Sequence, residues 1–88
     1  MIYEVILKRK VIKRLNKLPV RVQKKLAVLV NDLRVLGPVQ PAWLNYSKLS
    51  RIEYHCHLER SWIACWRHKK NTIIIEVYYV GSREKAPY

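Results

Sequence analysis

Residues 51–80 read RIEYHCHLERSWIACWRHKKNTIIIEVYYV, and this stretch decides the fold. It contains three runs of strand length that are rich in Ile, Val, Tyr and Trp, at residues 51–58, 62–68 and 72–80. The short links between the runs predict antiparallel hairpins. The sequence leaves the register of the first hairpin open, because a two-residue turn sets His57 against Trp62 and a three-residue turn sets Glu53 against Arg67.

The rest of the chain predicts one more strand and two helices. Residues 2–7 form a short apolar run rich in β-branched and aromatic residues, which favours a strand. Two helices are predicted from apolar residues at helical spacing, the first over 8–18 (Val11, Leu15, Leu18) and the second from Pro19 (Val22, Leu26, Leu29, Val30, Leu33, Leu36). Gly37-Pro38 ends the second helix, and 37–50 is read as a loop. We therefore expect one α+β domain over 1–88, ordered β-α-α-β-β-β, with an antiparallel-rich sheet packed on a two-helix hairpin.

Charge is the strongest compositional signal. The chain has 18 Lys and Arg residues against 6 Asp and Glu residues, a formal net charge of +12, and the basic residues occur in every segment. An anionic partner is predicted, and nucleic acid, an acidic protein or a membrane surface all fit this charge. Two cysteines are too few for a secreted disulfide framework, and no apolar run approaches the length of a membrane span. We expect a reduced, cytoplasmic protein that does not enter a membrane.

His55 and His57 are the candidate residues for proton chemistry. Strand alternation puts both on one face, about 6.6 Å apart, a separation that straddles a phosphate. The apolar side chains of the run share the other face, against the helices: Ile52, Tyr54, Cys56 and Leu58. We expect the histidine face to meet water or ligand, where one imidazole takes a proton and the other gives one up. A zinc site is disfavoured, because Cys56 points away from the histidines and no Cys-x-x-Cys pair exists.

Four motifs along the chain carry a family resemblance. They are Leu18-Pro19 between the helices, Lys48-Leu49 before the second strand, Val80-Gly81-Ser82-Arg83 after the last strand, and Tyr88 at the end. In these motifs the chain resembles the RelE/ParE superfamily of small toxins from toxin-antitoxin pairs. In the messenger-cleaving branch the second strand resembles Tyr-Lys-x-Lys-Leu, with both lysines facing the message. Tyr54, His55, His57 and Leu58 occupy that frame here, so histidines replace the lysines.

The resemblance implies a metal-independent, ribosome-dependent endoribonuclease that cleaves mRNA by 2′-hydroxyl attack on the phosphodiester. Such cleavage requires a base, an acid, and a positive charge that stabilises the phosphorane. On this resemblance His55 and His57 are the base and the acid, in an order left open. Arg83 stabilises the phosphorane, and Tyr88 stacks on or orients a nucleotide. No cofactor is implied.

One departure from the family concerns the scissile phosphate. The family usually holds that phosphate with an arginine in a Tyr-Arg pair near the start of the third strand, where this chain has Ser61-Trp62. Either Arg60 or Arg67 is expected to replace the missing arginine, and Trp62 to stack on a base. The remaining predicted RNA contacts are Lys48, Arg51 and Lys85.

The resemblance also implies the partners: a cognate acidic antitoxin, mRNA on the ribosome with rRNA contacts through the basic surface, and operator DNA only through the antitoxin complex. Two alternatives stay open. The first is the ParE-like branch, which inhibits DNA gyrase without RNase activity. The second is a non-enzymatic basic nucleic-acid-binding module, which rests on charge alone.

Overall fold

The computed structural model describes residues 2–88, which form a five-stranded mixed sheet with helices on one face. The elements are β1 (Glu4–Leu7), α1 (Arg9–Arg14), α2 (Val20–Leu36), β2 (Ser47–Lys48), β3 (Glu53–Glu59), β4 (Trp62–His68) and β5 (Ile74–Ser82), with 3-10 turns at Leu15–Lys17 and Arg83–Lys85. The strand order is β1-β5-β4-β3-β2; β1 and β5 are parallel and the other pairs antiparallel. The predicted α+β class and element order are confirmed, with β2 as an addition.

Several element boundaries differ from the expectation. The first helix stops at Arg14 rather than Leu18, because the chain tightens into a 3-10 turn and Leu18 is extended (ψ 146°) before Pro19. β2 lies inside the predicted loop. β3 begins at Glu53 rather than Arg51, and β5 covers 74–82 rather than 72–80. The first strand covers only the four residues 4–7 of the predicted segment 2–7.

The first hairpin adopts one of the two registers that the sequence left open. Glu53 pairs with Arg67, as a three-residue turn requires. His57 faces Ile63 rather than Trp62. A bulge beyond His57 then shifts the pairing by one residue, so that Glu59 faces Trp62.

The core lies between the sheet and the helices. Tyr54, Cys56 and Leu58 face it, as their alternation predicts, and Trp66 at its centre donates an indole hydrogen bond to the Pro38 carbonyl at 3.0 Å. The predictions for two other apolar residues are wrong. Ile52 is 36% exposed because it precedes β3, and Leu36 is 68% exposed because it is the last residue of α2. None of the helices in residues 2–88 is long and apolar enough to span a bilayer.

Gly37 ends α2 in a backbone conformation that only glycine adopts without strain (φ 92°, ψ −170°). A Cβ atom there would lie 2.9 Å from Cε1 of Tyr3. We expect Gly37→Ala to lower the free energy of unfolding by about 1–3 kcal/mol, measured by urea denaturation. Leu36→Ala is the control, since an exposed side chain should cost no more than about 0.5 kcal/mol. Equal stability of the two variants would contradict this account of Gly37.

Candidate active site

The sheet face that points away from the helices carries the candidate chemistry. Pairing aligns His55 with Cys65 and Tyr79, and His57 with Ile63 and Gly81. Residues directly opposite one another on antiparallel strands share a face. We call this surface the histidine face, defined by His55, His57, Ile63, Cys65, Tyr79 and Gly81.

The expectation that the two histidines are exposed to water is wrong, although the predicted face is right. His55 is 8% exposed and His57 is 7% exposed. The C-terminal Tyr88 packs against His55, with its ring centroid 4.7 Å from that of His55. The two imidazole centroids are 5.8 Å apart. The histidines therefore form one cluster with the terminal phenol.

Each imidazole has its Nδ1 atom anchored. Nδ1 of His57 lies 3.1 Å from the carbonyl oxygen of Arg60, and since a carbonyl only accepts, this nitrogen carries a proton. Nδ1 of His55 lies 3.0 Å from Oγ of Ser47. Within residues 2–88 neither Nε2 atom has a hydrogen-bond partner, and neither is sealed from solvent. Both Nε2 atoms are thus unpaired within the described part of the chain.

Burial changes the protonation of His55. Desolvation lowers the pKa of His55 from its ordinary value of 6.5; a backbone hydrogen bond at Ser47 opposes this, and the positive form of His57 lowers the pKa further. His55 is therefore neutral at pH 7.

Arg83 lies in the segment between β5 and Tyr88. Arg83 begins the 3-10 turn after β5, and its backbone N–H donates to the Ser61 carbonyl at 2.8 Å. Burial raises the pKa of the Tyr88 phenol, and the charge of Arg83 opposes that rise. His55, His57 and Tyr88 are thus in one cluster, and Arg83 lines a cleft with Ser61, Trp62, Ser82 and Glu84.

The two arginines proposed for the scissile phosphate have different surroundings. Arg67 lies 3.4 Å from a carboxylate oxygen of Glu53 and 4.0 Å from one of Glu76, and its guanidinium stacks 4.3 Å from the Tyr78 ring centroid. The positive charge of Arg67 is therefore already paired with these carboxylates. Arg60 is exposed in the β3–β4 turn, and its guanidinium forms no ion pair within the described part of the chain.

The other predicted RNA contacts do not join the histidine pair. Lys48 pairs with Tyr54 and lies over its ring at 5.7 Å, on the helix side of the sheet. Arg51 is in the exposed turn before β3. Trp62 packs partly against the core and lines a cleft with Lys85. None of these four side chains hydrogen-bonds to either histidine in residues 2–88.

The two cysteines are fully buried on opposite faces of the sheet, Cys56 in the core and Cys65 on the histidine face. Burial raises the pKa of each thiol to about 12. Since the thiolate is the reactive form, we expect iodoacetamide at pH 8 to leave both unmodified in the folded protein and to alkylate both in urea. Mass spectrometry detects the alkylation, and rapid labelling of the folded chain would contradict this expectation.

No cluster of three or more His, Cys, Asp or Glu residues that could hold a metal occurs in residues 2–88.

No family model and no curated protein matches this sequence. Its structure is similar to the archaeal RelE–RelB complex from Pyrococcus horikoshii OT3 (TM-score 0.77, 16% identity, covering 98% of this chain and 100% of that chain). It is similar to a free mutant of the E. coli toxin RelE (0.75, 17%, 98% and 88%) and to the E. coli DinJ–YafQ toxin–antitoxin complex (0.74, 16%, 100% and 100%). At this identity the likeness concerns the fold, and it confirms the RelE-like fold that the sequence resemblance implied.

Proposed function

We propose, on the premise that this chain has the RelE-like toxin fold, that it is the toxin of a type II toxin-antitoxin pair and a ribosome-dependent endoribonuclease. The observation that carries the proposal is the pair His55 and His57, with ring centroids 5.8 Å apart, anchored Nδ1 atoms, and Nε2 atoms that form no hydrogen bond within residues 2–88. A base and an acid at this separation serve the two proton transfers of RNA cleavage by the 2′-hydroxyl.

The reaction follows from these groups. One imidazole takes the 2′-hydroxyl proton, the 2′-oxygen attacks phosphorus, and the second imidazole gives a proton to the departing 5′-oxygen. The products are a 2′,3′-cyclic phosphate and a 5′-hydroxyl. The Arg83 guanidinium stabilises the charge of the phosphorane, and the exposed Tyr88 ring stacks on a nucleotide.

Phosphate binding near the pair is assigned to Arg60 rather than Arg67. Arg60 is exposed, and its own carbonyl oxygen contacts His57. The charge of Arg67 is matched by Glu53 and Glu76. Lys48, Arg51 and Lys85, with Trp62, are proposed to contact more distant parts of the RNA, where the net charge of +12 favours binding through counterion release.

The proposed partners are a cognate acidic antitoxin, mRNA on the ribosome, and operator DNA through the antitoxin complex only; cytoplasm is the proposed location. The similar RelE and YafQ chains come from complexes with RelB and DinJ. A cavity of about 720 Å³ between α2 and residues 42–44 supports an acidic amphipathic partner. Val28 and Leu44 line it, each 54% exposed, together with Lys24 and Lys25.

Induced expression in a bacterial host tests the function. We expect growth arrest with cuts in translated messages, mapped by primer extension, and intact chromosomal DNA. Intact messages with gyrase-dependent DNA breaks would favour the ParE-like alternative. Nucleic-acid binding without either effect would favour the basic binding module.

A further inference from the structure

Ser47 contacts the histidine face from β2, the short edge strand. The β2–β3 pairing sets Ser47 directly opposite His55, and its hydroxyl oxygen lies 3.0 Å from His55 Nδ1. Lys48, the next residue, is on the other face over the Tyr54 ring. Ser47 is thus the β2 residue that reaches the histidine pair.

The 3.0 Å contact anchors Nδ1 of His55 and by itself does not fix the donor, because a serine hydroxyl both donates and accepts. A hydroxyl that accepts places the proton of the neutral His55 ring on Nδ1 and leaves Nε2 as a lone-pair acceptor, as a general base requires.

We propose that Ser47 is a positioning residue that holds neutral His55 in the Nδ1–H tautomer, which makes His55 the general base and His57 the general acid. This assignment rests on the proposed ribonuclease function. It assigns one imidazole to each proton transfer, whereas the strand spacing and the family resemblance leave that assignment undecided.

The surroundings of His55 support the base role. The titratable groups that face it are His57 on its own strand, Cys65 on β4 and Tyr88 of the tail. None of them is anionic at neutral pH. Two neighbouring imidazoles also do not readily carry a positive charge at the same time. Burial disfavours the charged ring further. His57 is then left with the acid role, and its Nδ1–H is bound to the Arg60 carbonyl.

The proton inventory balances over one cleavage. His55 Nε2 takes the 2′-hydroxyl proton and becomes an imidazolium. The new bond joins the 2′-oxygen to phosphorus, the bond from phosphorus to the 5′-oxygen breaks, and His57 Nε2–H supplies the proton for that oxygen. Water then exchanges the two protons and restores the starting pair.

The first test is the tautomer of His55 in ¹⁵N-labelled protein, read from long-range ¹H–¹⁵N correlations above pH 7. We expect the Nδ1–H form in the unmodified chain, a shift towards the Nε2–H form in Ser47→Ala, and recovery in Ser47→Thr, which keeps the hydroxyl on a strand-favouring residue. An Nε2–H tautomer in the unmodified chain, or no shift in Ser47→Ala, would overturn the inference without affecting the proposed function.

The second test is the cleavage rate in reconstituted translation. We expect Ser47→Ala to lower kcat/KM by about 10- to 100-fold through misorientation of the base, and Ser47→Thr to recover most of the loss. Because the base acts only when unprotonated, kcat/KM should fall as the pH drops through the His55 pKa, which lies below 6.5. Ser50→Ala is the control, since its hydroxyl bonds to Glu53 at 2.9 Å and not to a histidine.

The outcomes separate the two proposals. Cleavage by the unmodified chain with no loss in Ser47→Ala, or with an equal loss in Ser50→Ala, overturns the role of Ser47 and leaves the function standing. No cleavage by the unmodified chain overturns the function, and the base role with it, whatever the tautomer.

Discussion

Replacing either His55 or His57 with alanine is expected to lower the rate of mRNA cleavage by about 10²–10⁴-fold, the usual contribution of a positioned acid or base. Each variant removes one Nε2 atom of the pair and leaves the other imidazole without its counterpart. The measurement is single-turnover cleavage in a reconstituted translation system. Thermal unfolding of each variant verifies that it remains folded, since both side chains are more than nine-tenths buried.

His68 provides the matched control for the pair. It is the third histidine of the chain, half-buried in β4, and its Nε2 atom lies 2.9 Å from the Thr72 carbonyl rather than near the pair. His68→Gln should cleave mRNA at the rate of the unmodified chain. Full activity in a folded His55→Ala or His57→Ala variant would contradict the proposed site.

Replacing Arg83 with alanine is expected to have the second large effect. We expect kcat to fall by about 10²–10³-fold, the range seen when one donor to a developing oxyanion is removed. Arg83 is exposed, so little stability should be lost with it. Loss of a charge that acts on the phosphorane lowers kcat, whereas loss of a charge that only attracts RNA raises KM and changes the salt dependence. Single-turnover rates at saturating and limiting ribosome concentrations separate these parameters.

Arg34→Ala is the control for Arg83. Arg34 is also exposed, and its guanidinium donates to Asn31 at 3.1 Å on α2. Arg34→Ala removes one positive charge, as Arg83→Ala does, and we expect its kcat to equal that of the unmodified chain. A raised KM with unchanged kcat in Arg83→Ala would show that Arg83 attracts RNA but does not act in the reaction.

The long elements could be predicted because their apolar side chains recur with the period of a strand or a helix. The alternation of Tyr54, Cys56 and Leu58 fixed the core face of β3, and the helical spacing from Val22 to Leu33 fixed the buried side of α2. Short elements carry no such period. The two residues of β2 lie in a segment of prolines, aromatics and polar residues, so only tertiary pairing with β3 reveals them.

The candidate site was predicted less completely than the fold. The shared face of His55 and His57 follows from alternation, whereas the packing of Tyr88 against His55 depends on the path of the C-terminal segment, which no local pattern encodes. The same limit applies to Arg67, whose carboxylate partners come from two other strands. Ser47 was missed for a related reason, since its contact with His55 exists only once β2 pairs with β3.

The chemistry of the RNA ends tests the central claim most directly. Purified protein is added to a reconstituted translation system with a defined message, and the ends at each cut are identified by mass spectrometry. Attack by the 2′-hydroxyl between two imidazoles predicts cuts with a 2′,3′-cyclic phosphate, or the 3′-phosphate from its hydrolysis, and a 5′-hydroxyl. An intact message, or cuts with 5′-phosphate and 3′-hydroxyl ends, would contradict it.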